Sequence, residues 1–243
     1  PMPIFVSAGE PLGPGPVCGV EGLPAGLAVS RDDIAAELAR RRLGYGRGPR
    51  QAIETDEIEI LGGIRHGRTL GSPVAVVVRN AEWGKWQEEM SPDAGVPART
   101  LTTPRPGHAD LAGMLKYDTR DARDILERSS ARETAARAVA GTLARLLLAE
   151  LGVSVLSHVV AVGGAVAGDR RPGPGGEEAV DASPVRAFDP AAEAAMVAEI
   201  EAAKADRDTL GGVVEVLVYG LVPGIGSHVH WDRRLDAALA GAL

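Results

Sequence analysis

Apolar and polar positions group into short blocks along the chain, and each block predicts an element. Ile4-Phe5-Val6 opens an apolar run that predicts a strand over residues 3–8, and a second run predicts one over 16–21. Between them lies AGEPLGPGP, residues 8–16, with three prolines and three glycines in nine residues. Such a stretch is a rigid loop at a strand end. Its one carboxylate is Glu10, and it offers no nucleophile and no side chain that exchanges protons near neutral pH.

Ser30-Arg31-Asp32-Asp33 opens a helix: Ser30 caps it, the acids suit its positive end, and Ile34, Ala35 and Leu38 recur at helical spacing. That helix runs into Arg40-Arg41-Arg42 and stops near Gly44. Residues 52–60 alternate by two and predict a strand, as does SPVAVVVRN at 72–80, while 84–108 reads as irregular. A long helix is expected over 130–150, ended by Gly152, then a strand over 153–164 and a flexible loop over 168–187. A helix over 189–204, a strand over 213–219 and a helix from about 232 complete the pattern. There is no fixed-period repeat and no regular βαβ rhythm, so the expected class is α+β.

Composition narrows this. With 243 residues the chain can bury a sizeable core as one large domain or two small ones. Apolar residues make up 45% but aromatics only 3%, so the core is built from Ala, Val, Leu and Ile. A net charge of −7 argues against a general nucleic-acid binder, which needs a basic face. Arginine outnumbers lysine 23 to 3, giving many planar forks suited to carboxylate and phosphate. Cys18 is the only cysteine, so no intrachain disulfide forms, which fits a reducing cytoplasm. No run of 18 apolar residues and no signal pattern occurs, so a soluble cytoplasmic protein with no membrane partner is expected.

Four stretches carry candidate chemistry. ARRRLGYGRGPR, 39–50, has five arginines and three glycines; it reads either as a convergent anion site or as a solvated basic helix end. Pro104-Arg105-Pro106-Gly107-His108-Ala109-Asp110 is a stiff loop that delivers an arginine and a histidine together, and histidine is the usual proton donor near neutral pH. ERSSARETAARAVAGTL, 127–143, sets Ser129, Ser130 and Arg132 at a helix start; this is an anion site, a capping box of Ser130 with Glu133, or both. In SHVHWD, 227–232, His228, His230 and Asp232 share a face if extended, but Arg233 follows and further ligands are scarce, so a loop is favoured over a metal site.

Taken together, these segments resemble the chorismate synthase family. The resemblance covers VEGLPAGLAVSRDDI, RRRLGYGRGPR, IEILGGIRHGRTLGSPVAVVVRN, TPRPGHADLAGMLKY, ERSSARETAARAVAGTL and DTLGGVVEVLVYGLVPGIGS, in family order. It implies a single domain over 1–243 with a helical layer between two antiparallel sheets, and usually a homotetramer. It implies the anti-1,4-elimination of phosphate from 5-enolpyruvylshikimate 3-phosphate to give chorismate, with reduced FMN required. By the same resemblance Arg41 and Arg47 grip substrate, and Arg105 and Arg132 add charge on its phosphate and carboxylates. His108 is the histidine near the flavin, and cofactor contacts fall to Ser130, His108 and Arg132, with no metal. The histidines of SHVHWDRRLD fall in a variable stretch of the family.

Two departures stand out. The family's first signature reads G-E-S-H-G, whereas this chain has Gly9-Glu10-Pro11-Leu12-Gly13, so Leu12 occupies the place of a catalytic histidine. Family members also continue for roughly another third of their length beyond the equivalent of residue 243, with an Arg-Ser-Asp signature that helps close the flavin site and second sheet. The expectation is an impaired or inactive chorismate synthase; the alternative is a non-catalytic homologue or fragment that keeps an arginine-rich polyanion site.

Overall fold

The structure is a computed structural model that describes residues 3–46 and 56–243. Its contacts gather into two compact units, Pro1–Leu147 and Leu148–Leu243, within the span read as one domain.

The first unit begins with β1 (Ile4–Ala8) and β2 (Val17–Glu21), joined by the Pro/Gly loop. Helix α1 (Arg31–Arg41) follows. Ser30 Oγ accepts from Asp33 N at 3.0 Å and Asp33 Oδ2 accepts from Ser30 N at 2.7 Å, a full capping box. Ile34 and Leu38, four residues apart, are buried, whereas Ala35 faces solvent. Then come β3 (Ile58–Gly62), a small hairpin of β4 (Ile64–Arg65) and β5 (Arg68–Thr69), and β6 (Val74–Val78). The sheet order is β1-β2-β6-β3, with antiparallel neighbours throughout and a register shift in β3 between Ile60 and Gly62. Central β6 is buried on both faces, so its sequence VAVVV is continuous rather than alternating.

Residues 84–108 hold little regular structure beyond α2 (Trp83–Trp86), which overlaps their start. Helices α3 (Asp110–Tyr117) and α4 (Arg123–Leu126) pack so closely that a Cβ at Gly113 would run into Ile125. A 3-10 turn, Ala131–Glu133, leads into α5 (Thr134–Glu150). Ala135, Ala136, Val139 and Leu143 of α5 are fully buried against Cys18, Val20, Val74, Val76 and Val78 in one core, and the small residues let helix and sheet approach closely. Burial pushes the Cys18 thiol up to about 12, more than a backbone contact with Ala140 lowers it.

The second unit contains β7 (Ser154–Val162), β8 (Ala165–Val166), α6 (Glu177–Ala182), α7 (Pro190–Asp206), β9 (Gly212–Tyr219), a 3-10 turn Trp231–Arg233 and α8 (Leu235–Ala242). The sheet order is β8-β7-β9, again antiparallel. Asp189 caps α7, with Pro190 as its first residue, which fits both residue types. The stretch 168–187 is more ordered than a flexible loop: it forms α6, buries Val180, and pairs Arg186 with Asp181. On β9, Val214, Val216 and Val218 are exposed while Glu215, Leu217 and Tyr219 between them are partly covered. The architecture is α+β with antiparallel sheets, as the sequence predicts. Among the described residues no helix is long and apolar enough to cross a membrane.

Candidate active site

The Pro/Gly loop is held by its glycines and by one asparagine. Gly15 has φ +145°, and a Cβ there would run into the Val78 carbonyl; a Cβ on Gly9, at φ +83°, would run into the Gly15 carbonyl. Asn80 donates from Nδ2 to Gly13 O at 3.0 Å and from its backbone N to Pro14 O at 3.0 Å. Leu12 is buried, and its backbone N–H donates to Glu127 Oε2 at 2.9 Å. Glu127, itself 2% exposed, lies 3.7 Å from Arg123 Nη1. Arg123 in turn sits over the Trp86 ring and donates to Arg99 O at 3.3 Å. A pocket of about 280 Å³ opens here, lined by Glu10, Glu89, Asp121, Arg123, Asp124 and Glu127 among others.

A second knot forms on Asp56, a carboxylate 5% exposed in the left-handed region at φ +48°. Arg42 Nη1 lies 3.0 Å and Arg41 Nη1 4.0 Å from its Oδ2, and Arg132 Nη1 lies 3.3 Å from its Oδ1. Arg41 also donates from Nε to Thr134 Oγ1 at 3.0 Å, and Arg132 from Nη2 to Arg79 O at 3.1 Å. Ser130 Oγ accepts from Arg132 N at 3.3 Å and caps the 3-10 turn. So Arg41, Arg132 and Ser130, far apart in sequence, are brought to one place. The expected capping box with Glu133 does not form, because the 3-10 turn puts Arg132 N, not Glu133 N, on the serine. Glu133 instead accepts from Ser7 Oγ at 2.7 Å and Arg137 Nε at 2.8 Å. Burial alone would raise the Glu133 pKa, but those bonds and the Arg137 and Arg128 charges together hold it below the ordinary value. Arg47 lies outside the described residues.

The third knot is the Arg105–His108 loop. Asp110, 1% exposed at the start of α3, accepts from Arg105 N at 3.0 Å, Arg105 Nε at 2.9 Å and Arg105 Nη2 at 3.2 Å. The His108 Nδ1 is 2.7 Å from its Oδ1. The bond from the Arg105 guanidinium, above all, holds the Asp110 carboxyl far below the usual carboxylate range, against the opposing effect of burial; the Arg105 backbone N–H and His108 add to it. A depressed native pKa stabilises the fold above the unfolded value, near about 4, and that stabilisation is lost as pH falls toward the native value. The stability difference between the parent and Asp110→Asn is therefore expected to be constant above about pH 5 and to shrink below about pH 4, as measured by urea unfolding across an acid series.

Asp56, Glu127 and Asp110, each buried, organise the arginines, and none is a candidate from the sequence alone. The signal was there in outline: so many guanidiniums near a core require acceptors, and Asp110 lies two residues from His108. Arg105 and His108 share no hydrogen bond or ion pair with the Asp56 knot among the described residues; the Glu127 charge is the group from the loop region that Arg105 feels. In the second unit, His228 and His230 are exposed. Among the described residues no cluster of three or more His, Cys, Asp or Glu has the geometry to hold a metal ion.

Fold and site together define an α+β protein whose arginines gather on the buried carboxylates Asp56, Asp110 and Glu127, the last of which also holds a glycine-pinned loop. The family model described as chorismate synthase matches residues 4–243. Chorismate synthase of Frankia alni is 59% identical over 248 residues, covering 98% of this chain and 63% of the relative. That of Thermobifida fusca is 59% identical over 251 residues, covering 98% of this chain and 64% of the relative. A crystal structure of a chorismate synthase superposes with a TM-score of 0.80 at 36% identity, over 100% of this chain and 65% of that one. The chain belongs to the chorismate synthase family, and it spans somewhat less than two thirds of the length of the curated relatives it matches.

Proposed function

We propose that this chain carries the anion-binding part of a chorismate synthase site, in one chorismate-synthase-like domain that takes 5-enolpyruvylshikimate 3-phosphate as substrate. The convergence of Arg41 and Arg132 on Asp56, in segments that match the family, is the observation that carries the reading. The substrate bears two carboxylates and a phosphate, and forked guanidiniums bind such groups bidentately. Arg41, Arg105, Arg132 and, outside the described residues, Arg47 would bind them. Cytoplasmic location and tetrameric assembly belong to the same reading.

The donors present suit reduced FMN as well. Ser130 keeps its hydroxyl hydrogen for an anion while its oxygen accepts from Arg132 N, and Arg132 and His108 complete the set. When bound, reduced FMN supplies electron density that helps the phosphate leave. The chain's own residues would bind and orient the anion, and His108 would hold or pass a proton. The step the chain does badly is protonation of the departing phosphate, because Leu12 occupies the place where the family's signature has a histidine.

Calorimetric titration with 5-enolpyruvylshikimate 3-phosphate, without flavin, tests the binding reading. Binding that is weakened about 10-fold or more by Arg132→Ala and is little changed by His108→Ala is the expected result. An unchanged isotherm with Arg132→Ala refutes it. An anaerobic assay with reduced FMN is expected to give little or no chorismate, and turnover at the Thermobifida fusca enzyme's rate in the same assay would refute the impairment.

A further inference from the structure

We propose that Asp110 is a positioning residue for His108: it fixes the neutral ring as the Nδ1–H tautomer and so leaves Nε2 as the one ring atom that exchanges a proton. The inference rests on the reading of His108 as a proton-transfer group, but its test does not involve flavin or substrate.

The argument is one of donors and acceptors. Asp110 is buried and its two oxygens meet four polar contacts, three from Arg105 and one from His108. An ionised carboxylate only accepts, so His108 Nδ1, 2.7 Å from Oδ1, must carry a hydrogen. A guanidinium only donates. Arg105 Nη2 lies 2.9 Å from Nδ1 and 3.0 Å from Nε2, so nearly equidistant that it is off the outward lone-pair direction of both nitrogens, and the Nδ1–Oδ1 contact alone chooses the tautomer. One buried carboxylate thus sets both partners: it holds the guanidinium in place and chooses which nitrogen of the ring is bare. A histidine whose second nitrogen is oriented by a carboxylate is a recurrent arrangement for proton transfer. Here the loop's proline and glycine frame delivers it, with Gly107 at φ +68° and Asp110 opening α3.

The tautomer is read directly by long-range proton–nitrogen NMR near pH 8.5, about two units above the ordinary histidine range. The chain has five histidines, and the His108 signals are assigned by their loss in His108→Gln. In the parent protein, His108 is expected to show a protonated Nδ1 and a bare Nε2. His158 provides an internal reference of the opposite kind, since its Nε2 lies 2.9 Å from Glu215 Oε2 and its buried Nδ1 has no hydrogen-bond partner. In Asp110→Asn the amide oxygen is expected to stay on Arg105 N and Nε and turn the amide NH₂ toward Nδ1. His108 should then switch to the Nε2–H form, while His158 keeps its signature as evidence that the fold persists. A parent His108 protonated at Nε2 overturns the proposal without any variant. So does an Asp110→Asn protein in which His158 is unchanged and His108 stays protonated at Nδ1.

Discussion

On the proposed chorismate synthase reading, replacing Leu12 by histidine is expected to raise the rate of phosphate elimination by about 10²–10⁴-fold over the parent chain, the usual contribution of one positioned general acid. The frame for such an acid is intact. Gly9 and Gly15 turn the loop where no side chain fits, Asn80 holds Gly13 and Pro14, and the residue 12 backbone is fixed by Glu127. Glu127, which accepts the residue 12 backbone N–H, would also favour the protonated form of an introduced imidazole, since an adjacent carboxylate stabilises the cation. The measurement is single-turnover chorismate formation with reduced FMN under anaerobic conditions, with Leu12→Gln as a polar control that cannot donate a proton. Equal rates for the histidine and glutamine variants would overturn the reading of residue 12 as the place of a proton donor.

Asp56→Asn is expected to destabilise the first unit by about 3–5 kcal/mol, the cost typical of removing one partner from a buried ionic network. Arg42 and Arg132, and Arg41 at longer range, all meet this carboxylate, and Arg132 is itself buried. Asparagine is the informative replacement because it keeps the shape and tolerates the left-handed backbone at φ +48°. Asp56→Ala is expected to cost more still, since alanine adds backbone strain of about 1 kcal/mol. Urea unfolding followed by far-ultraviolet circular dichroism measures both, and a loss under 1 kcal/mol for the asparagine variant would mean that other acceptors hold the arginines.

Most elements lie close to where the residue pattern puts them. Apolar runs placed β1, β2, β6, β7 and β9, the Ser30 cap placed α1, and the helix expected over 189–204 is α7, whose Asp189 cap the structure adds. Helices α3 and α4 went unforeseen because neither has a side-chain cap, and Asp110, at the start of α3, is turned inward onto Arg105 and His108. The strand expected over 52–60 is seen only from Ile58, with Asp56 at its entrance in a conformation that no alternation of polar and apolar residues encodes; 52–55 lie outside the described residues. The site divides the same way. The arginines, His108 and Ser130 were legible as types at suggestive spacings. The carboxylates that aim them were not, because burial of Asp56, Asp110 and Glu127 comes from tertiary packing, and nothing local marks an acidic residue as interior.

The lone cysteine turns this architecture into its own reporter. Cys18 is 1% exposed in the β2–α5 core and its thiol is pushed up to about 12, so it is inert toward disulfide dyes at neutral pH as long as the sheet is closed. The second unit contains no cysteine. The rate at which a dye modifies the native protein therefore clocks the opening of the first unit alone, and separates its local breathing from that of the β7–β9 unit without any label or substitution.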